Sequence, residues 1–180
     1  MSKNGLILLT PTSIAYTGTS ASISANGSVE FSACTTVSLN GVFSADYDNY
    51  MIVMRWQQFV TDATTTFRLR NLGVDDSTAN SYVRQYLQAD STTVGAGRGT
   101  ANLTWFTNSG IAQRNGNVAY IYGPYLAQPT AGRTVGADSE SNAFLRDIAF
   151  THNQSNSYDG FTWITSNTFT GRIAVYGMRK

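Results

Sequence analysis

The chain has 180 residues, a formal net charge of +1, one histidine and one cysteine. A balance so near neutral gives no electrostatic case for nucleic acid or for insertion into an acidic membrane. The lone cysteine excludes an internal disulfide framework and the lone histidine excludes a His-pair zinc site. The length suits one domain with a real core.

Hydrophobic residues make up 42% and charged residues 13%, the latter about half the usual share. Ser, Thr, Asn and Gly supply the difference, a strand- and turn-rich composition. Lysine occurs only at Lys3 and Lys180, so every other cation is arginine. Lineage bias is one reading of that choice. The other is a surface engaged in protein interfaces, where planar guanidinium groups tolerate partial desolvation.

In chain order, residues 1–27 read as an N-terminal arm and 28–180 as a single β-sandwich domain. Leu6, Ile7, Leu8 and Leu9 form an apolar run that Thr10-Pro11 ends, followed by a Ser/Thr/Gly/Ala-rich tether. The run is too short for a signal-peptide core or a membrane span, so the expectation is synthesis in the cytoplasm. Its apolar face must be buried somewhere, either as an edge strand folded back on the domain or on a neighbouring subunit. Asn26-Gly27 then turns the chain.

Val29, Phe31 and Ala33 alternate with Ser28, Glu30 and Ser32, the period of a half-buried strand. Tyr47 to Trp56 enters through Asp48-Asn49 and runs through Tyr50-Met-Ile-Val-Met, which predicts a central strand buried on both faces. Phe67 and Leu69 are expected inward, with Arg68 and Arg70 outward as interface candidates. Asn71 to Ser81 and Ala89 to Thr100, with its Gly-Ala-Gly-Arg-Gly run, read as loops. Tyr82 to Gln88, Leu103 to Thr107, Val118 to Tyr122, Thr134 to Ala137, Phe144 to Thr151, Phe161 to Thr165 and Arg172 to Tyr176 follow as short strands. No stretch keeps helical periodicity, so the fold is predicted to be an all-β antiparallel sandwich.

Catalytic chemistry is sparse. His152 lies at a strand end with no Gly-x-Ser-x-Gly elbow in the chain, and reads as a solvated loop histidine. The carboxylate pairs Asp46/Asp48, Asp75/Asp76 and Asp138/Glu140 sit in or beside turns, where Asp is expected for turn geometry alone. Cys34 reads as a small buried hydrophobe. No cofactor or metal is expected, and the chain is predicted not to be an enzyme. Trp105, Tyr125 and Tyr158 could offer stacking platforms to a host-surface polysaccharide; alternatively they fill core and interfaces.

Gly5-Leu-Ile-Leu-Leu-Thr-Pro-Thr-Ser-Ile, Ile23-Ser-Ala-Asn-Gly-Ser-Val-Glu-Phe-Ser, Ser38-Leu-Asn-Gly-Val-Phe with Tyr47-Asp-Asn-Tyr, Phe67-Arg-Leu-Arg and the closing Tyr176-Gly-Met-Arg-Lys recur in order along the chain. In that order they resemble the small β-sandwich proteins of tailed bacteriophage virions, especially those of marine phages. The resemblance implies a jelly-roll-like sandwich with an extended arm and a non-enzymatic virion component. It further implies a homotrimer, placed as capsid decoration or cement or as a tail or fibre part. Expected partners are therefore other copies and other virion proteins. Leu6 to Leu9 would be the assembly arm.

Overall fold

The structure is a computed structural model that describes residues 5–58, 63–109, 114–138 and 144–178. Lys3, Lys180 and Glu140 of the expected Asp138/Glu140 pair lie outside the described residues. The fold is an all-β, jelly-roll-like antiparallel sandwich, and its sheet does not close into a barrel.

Thirteen strands are described: β1 (Leu6–Leu9), β2 (Ser13–Ile23), β3 (Val29–Asn40), β4 (Asn49–Gln58), β5 (Ala63–Asn71), β6 (Val74–Asp75), β7 (Tyr82–Asp90), β8 (Thr93–Ala101), β9 (Thr104–Ser109), β10 (Arg114–Tyr122), β11 (Thr130–Asp138), β12 (Leu145–His152) and β13 (Gly160–Met178). Their hydrogen-bonded order is β2-β3-β13-β4-β10-β11-β12-β7-β8, with β1 and β5 also on β13 and β6 and β9 on β5.

The 19-residue strand β13 replaces the two short strands expected at Phe161–Thr165 and Arg172–Tyr176. Its first part, Gly160 to Thr165, pairs with β5. Its second part, Phe169 to Met178, pairs with β4. Between them the register against β3 slips twice, and β2 slips against β3 at Thr17/Gly18. Ala33 of β3 has φ 46°, the left-handed region that a bent strand uses at a bulge.

These irregularities line up across three neighbouring strands and form one corner. The Thr10 side chain lies against Gly27, and the Thr12 amide donates to the Asn40 carbonyl at 2.9 Å. Residues two apart in sequence span about 7 Å at most, so the opposite ends of β3 come together. Strands β2, β3 and β13 are therefore folded over, each contributing to both layers, as at the corners of sandwiches built by bulged strands.

The core lies inside that fold. Phe67 of β5 packs on Phe161 at 5.2 Å and on Phe106 and Phe150 at 5.8 Å between ring centroids. Phe150 belongs to β12, so this contact joins the layers. Nearer the corner, Trp163 packs on Phe31 at 5.1 Å, Phe169 at 5.4 Å and Trp56 at 6.4 Å. Cys34 is wholly buried at the bend, and burial raises its thiol pKa. The expectation of a small buried hydrophobe matches.

Three expectations need correction. Strand β4 is central, between β13 and β10, but only one face is fully buried: Tyr50, Ile52, Met54 and Trp56 point into the core, while Met51 and Val53 are half-buried. The segment 89–100 is mostly strand β8, not loop. Gly95, Gly97 and Gly99 lie where the side chains of Gln88, Tyr86 and Arg84 cross from β7, and a Cβ there would meet them. The glycines mark close approach, not a turn.

Third, Arg70 is only 6% exposed. It lies on the face of β5 away from the core, but β6 folds back over it through the turn at Leu72 and Gly73, both at positive φ. Its Nη1 donates to Thr162 Oγ1 at 2.9 Å and its Nε lies 3.6 Å from Asp75 Oδ1. Thr162 Oγ1 donates to the same carboxylate oxygen at 2.5 Å.

Because Phe67 is fully buried and touches three rings from both layers, Phe67→Ala should cost about 3–5 kcal/mol. Leu87→Ala, at a side chain 61% exposed, should stay within about 0.5 kcal/mol. Urea unfolding of both variants checks the pair, and equal losses would contradict this account of the core.

Candidate functional site

The N-terminal residues are the first candidate. Leu6 to Leu9 pair antiparallel with Met178 to Val175 of the same chain. Of the two dispositions open to the run, the structure holds the fold-back onto the domain. Leu6 is 48% exposed, Ile7 and Leu8 are half-buried, and Leu9 packs against the core. The polar tether after Pro11 is strand β2, paired along its length with β3.

Among the described residues, no strand follows beyond β2 in the hydrogen-bonded order, and none follows beyond β8 at the other end. Both edges are long: 11 residues in β2 and nine in β8. Strand β2, Ser-Ile-Ala-Tyr-Thr-Gly-Thr-Ser-Ala-Ser-Ile, has no charge and no proline, and Tyr16 and Ile23 on it are exposed. Proteins usually blunt such edges with lysine, proline or short strands, because the free backbone groups template pairing with another chain.

The three aromatic candidates do not form one platform. Trp105 on β9 packs on Tyr86 at 5.2 Å between centroids, with Arg84 Cζ 4.1 Å and Arg146 Cζ 5.2 Å from its ring centre. Tyr158 is 2% exposed and packs on His152. Arg146 and His152 stand six residues apart on β12, about 20 Å along a strand. Tyr125 is exposed, and its carbonyl accepts from Ser157 Oγ at 2.5 Å. Trp105 therefore lies at the far end of β12 from the other two, and Tyr158 offers no open ring face.

The arginine–aromatic stack closes the sandwich where Trp105 of β9 packs over the inner face of β7 and β12. Arg146 is 4% exposed; its Nη2 bonds Gln88 Oε1, while Nε and Nη1 are buried without a hydrogen-bond partner. Burial lowers the pKa of both Arg84 and Arg146. Sequence alternation had Tyr82, Arg84 and Tyr86 on one face without revealing that this face is the inner one. Arg68 is half-buried and donates from Nε to the Asn102 carbonyl at 3.0 Å.

His152 is wholly buried, which corrects the solvated-loop expectation. It ends β12 on the inward face, where loops 72–81 and 153–159 meet over it. Its Nδ1 is 3.3 Å from Tyr158 Oη and its Nε2 is 3.6 Å from Asp76 Oδ2. Tyr158 donates to Asp76 Oδ2 at 2.6 Å, Tyr82 donates to the Asp76 carbonyl at 3.1 Å, and the Leu69 amide donates to Tyr82 Oη at 2.9 Å. The contacts tie the two loops to each other and to strands β12 and β7, and β7 to β5. The Tyr158 hydroxyl is the one possible nucleophile within hydrogen-bond reach of the imidazole among these contacts, and it is buried. Of the carboxylate pairs, Asp75 is taken by Arg70 and Asp76 by Tyr158, and both residues line one open groove between the 71–78 and 156–158 segments. Among the described residues, no group of three or more His, Cys, Asp or Glu is placed to hold a metal ion.

No family model and no curated protein matches the chain. Solved structures with similar strand arrangements include domain 4 of AbnA, a GH43 extracellular arabinanase from Geobacillus stearothermophilus in complex with arabinotriose, at 8% identity, covering 92% of this chain and 82% of that one, TM-score 0.35. The CBM2 module of the evolved Dit of Lactobacillus casei BL23 phage J-1 matches at 11% identity over 95% and 92%, TM-score 0.32. SCLam, a non-specific endo-β-1,3(4)-glucanase of family GH16, matches at 7% identity over 99% and 93%, TM-score 0.33. Scores this low say nothing of function.

Burial holds the His152 imidazole below its usual 6.5, outweighing the upward pull of Asp76. The unfolded chain therefore takes up a proton first as pH falls below about 6.5, and the folded state loses stability through that window. Burial favours protonation of Asp76, but hydrogen bonds from Thr78 and Tyr158 and the nearby His152 outweigh it and hold the carboxyl below its usual 3.8. Its contribution is present above that value and disappears at lower pH. Melting temperature should fall between pH 7 and 5 in the wild type, and His152→Gln should flatten that slope. Since His152 is the only histidine, its ring signals by NMR give the midpoint directly. A midpoint at or above 6.5 would contradict the buried, neutral assignment.

Proposed function

We propose that the chain is a non-enzymatic structural subunit of a bacteriophage virion, a capsid decoration or cement protein or a tail-associated part. Its site of action would be the particle, after synthesis in the host cytoplasm. The observation that carries the reading is the β2 edge, 11 residues without charge or proline, a surface suited to joining another chain. Strand β8, with Val94 79% exposed, offers a second and different edge. Two different edges favour head-to-tail contact, which closes into a ring when the rotation allows; the phage resemblance implies three copies.

The fold suits that task. Its polar interior groups brace loops and the sandwich corner, and the N-terminal strand lies on the final strand. Leu6, half exposed on β1, and Arg68, at the margin of β5, remain available for contact with other virion proteins. The alternative, a host-surface glycan-binding module using Trp105, Tyr125 and Tyr158, is not favoured by their geometry, since the rings do not share a face.

Sedimentation should find the chain oligomeric at micromolar concentration, with a trimer expected. The double variant Ala15→Lys, Thr19→Lys places charge on the open edge and should shift the chain to monomer without lowering its unfolding free energy by more than about 1 kcal/mol. Deletion of residues 1–12 should weaken assembly and also lower stability, because it removes the β1 ladder. Antibody labelling of purified particles by electron microscopy locates the subunit. A monomeric wild type absent from particles would end this reading.

A further inference from the structure

We propose that the outer face of the sheet, beside the folded corner, binds an acidic polysaccharide. Here β2, β3, β13, β4 and β10 line an open groove of about 580 Å³ on the side away from the core. Cross-strand register builds it. Ser22 stands opposite Glu30, Glu30 opposite Arg172, and Arg172 opposite Arg55. In the next row Thr170 stands opposite Gln57, and Gln57 opposite Arg114.

Three of the chain's 12 cations thus meet one carboxylate in this groove. Directly opposed like charges on one sheet face are destabilising, and Arg172 and Arg55 are so opposed. Arg172 is held in place by its Nε donating to Ser28 Oγ at 2.7 Å. Arg55 is exposed on β4, and among the described residues no ion pair involves Arg55, Arg172 or Glu30. The groups are positioned to offer bidentate hydrogen bonds to a carboxylate or sulfate.

The shape selects a polymer. Five strands at about 4.8 Å spacing span roughly 19 Å, far longer than one small anion. The serines on β2 and β3 and Gln57 beside the arginines can accept from and donate to sugar hydroxyls. Single-stranded nucleic acid would require open rings for base stacking, but the aromatic residues lining the groove, Phe31 and Trp56, are only 3% and 1% exposed. The proposal is independent of the edge-pairing reading: binding is measured on the intact chain in whatever oligomeric state it adopts.

The test is affinity electrophoresis of the full chain in gels holding alginate, dextran sulfate or neutral dextran. Alginate and dextran sulfate distinguish carboxylate from sulfate as the recognised group. Retardation is expected in at least one acidic matrix and not in dextran. Arg55→Gln should weaken that binding about tenfold, the effect of losing one charge-assisted contact. Arg98→Gln removes the same charge on distant β8 and should leave it within about twofold. Glu30→Gln, which removes the only carboxylate lining the groove, should tighten it. Unfolding midpoints of all three confirm the fold. Absence of retardation in both acidic matrices overturns the proposal, as does equal retardation in dextran or equal loss in Arg55→Gln and Arg98→Gln.

Discussion

The fold depends on bending three adjacent strands at the same level. A sheet of this many strands twists and cannot stay open and flat around a shared core. Here β2, β3 and β13 fold over together, and the two halves of β13 hold different partners on one side, β5 first and β4 later. Each bend has a local cause: Gly18 sits tight against Ala33 and Cys34, Ala33 takes positive φ, and β13 slips register between Ile164 and Gly171. The Ala33 amide also accepts a partner across the corner, donating to Thr170 Oγ1 at 3.0 Å. With the corner in place, Phe31 and Trp56 of one layer reach Trp163 of the other. Without it the aromatic core would have no second wall.

That geometry also explains where the interior becomes polar. At one end of β12 the inner face carries Arg146 and, from β7, Arg84, stacked on Trp105 and Tyr86; at the other it carries His152 under Asp76 and Tyr158. Aromatic rings suit both places because they present an apolar face together with an electrostatic handle for a cation or a hydroxyl. The two guanidinium groups of this stack tolerate desolvation that lysines would not. The arginine bias thus has a structural correlate inside this chain, at Arg70, Arg84 and Arg146, in addition to any role at interfaces.

How much of this could be read from residues alone varies with how local the cause is. Strand existence was readable wherever alternation was clean, as at Val29, Phe31 and Phe67, Leu69, and turns at Asn26-Gly27 and Asn40-Gly41 follow from residue type. Failures arose where a distant segment decides. Arg70 looked solvated because its side of β5 is the outer one, yet a two-residue strand folds back and covers it. Strand β8 looked like a loop because its glycines answer to side chains of β7, not to any turn of its own. His152 looked exposed because the two loops that bury it lie 71 and more residues away or just beyond it, and no local pattern encodes their docking. The arginine groove was invisible for the same reason: Arg55, Arg114 and Arg172 are scattered in sequence and meet only through register.

The two faces of the sheet therefore obey different rules, and the difference bears on function. On the inner face each charged group that is buried gains a ring, a carboxylate or an amide as neighbour, as expected where desolvation costs several kcal/mol unless compensated. On the outer face beside the corner, Arg172 and Arg55 oppose each other, and one carboxylate, Glu30 across from Arg172, stands beside the two of them. Folding does not require this arrangement, since hydroxylic residues at both positions would keep the ladder intact. The unblunted edge on β2 presents the same kind of excess, backbone groups left open where a charged residue or a proline would close them. Both features lie outside the core that stabilises the domain, and under the two proposals above their cost would be relieved by another molecule rather than by the chain itself.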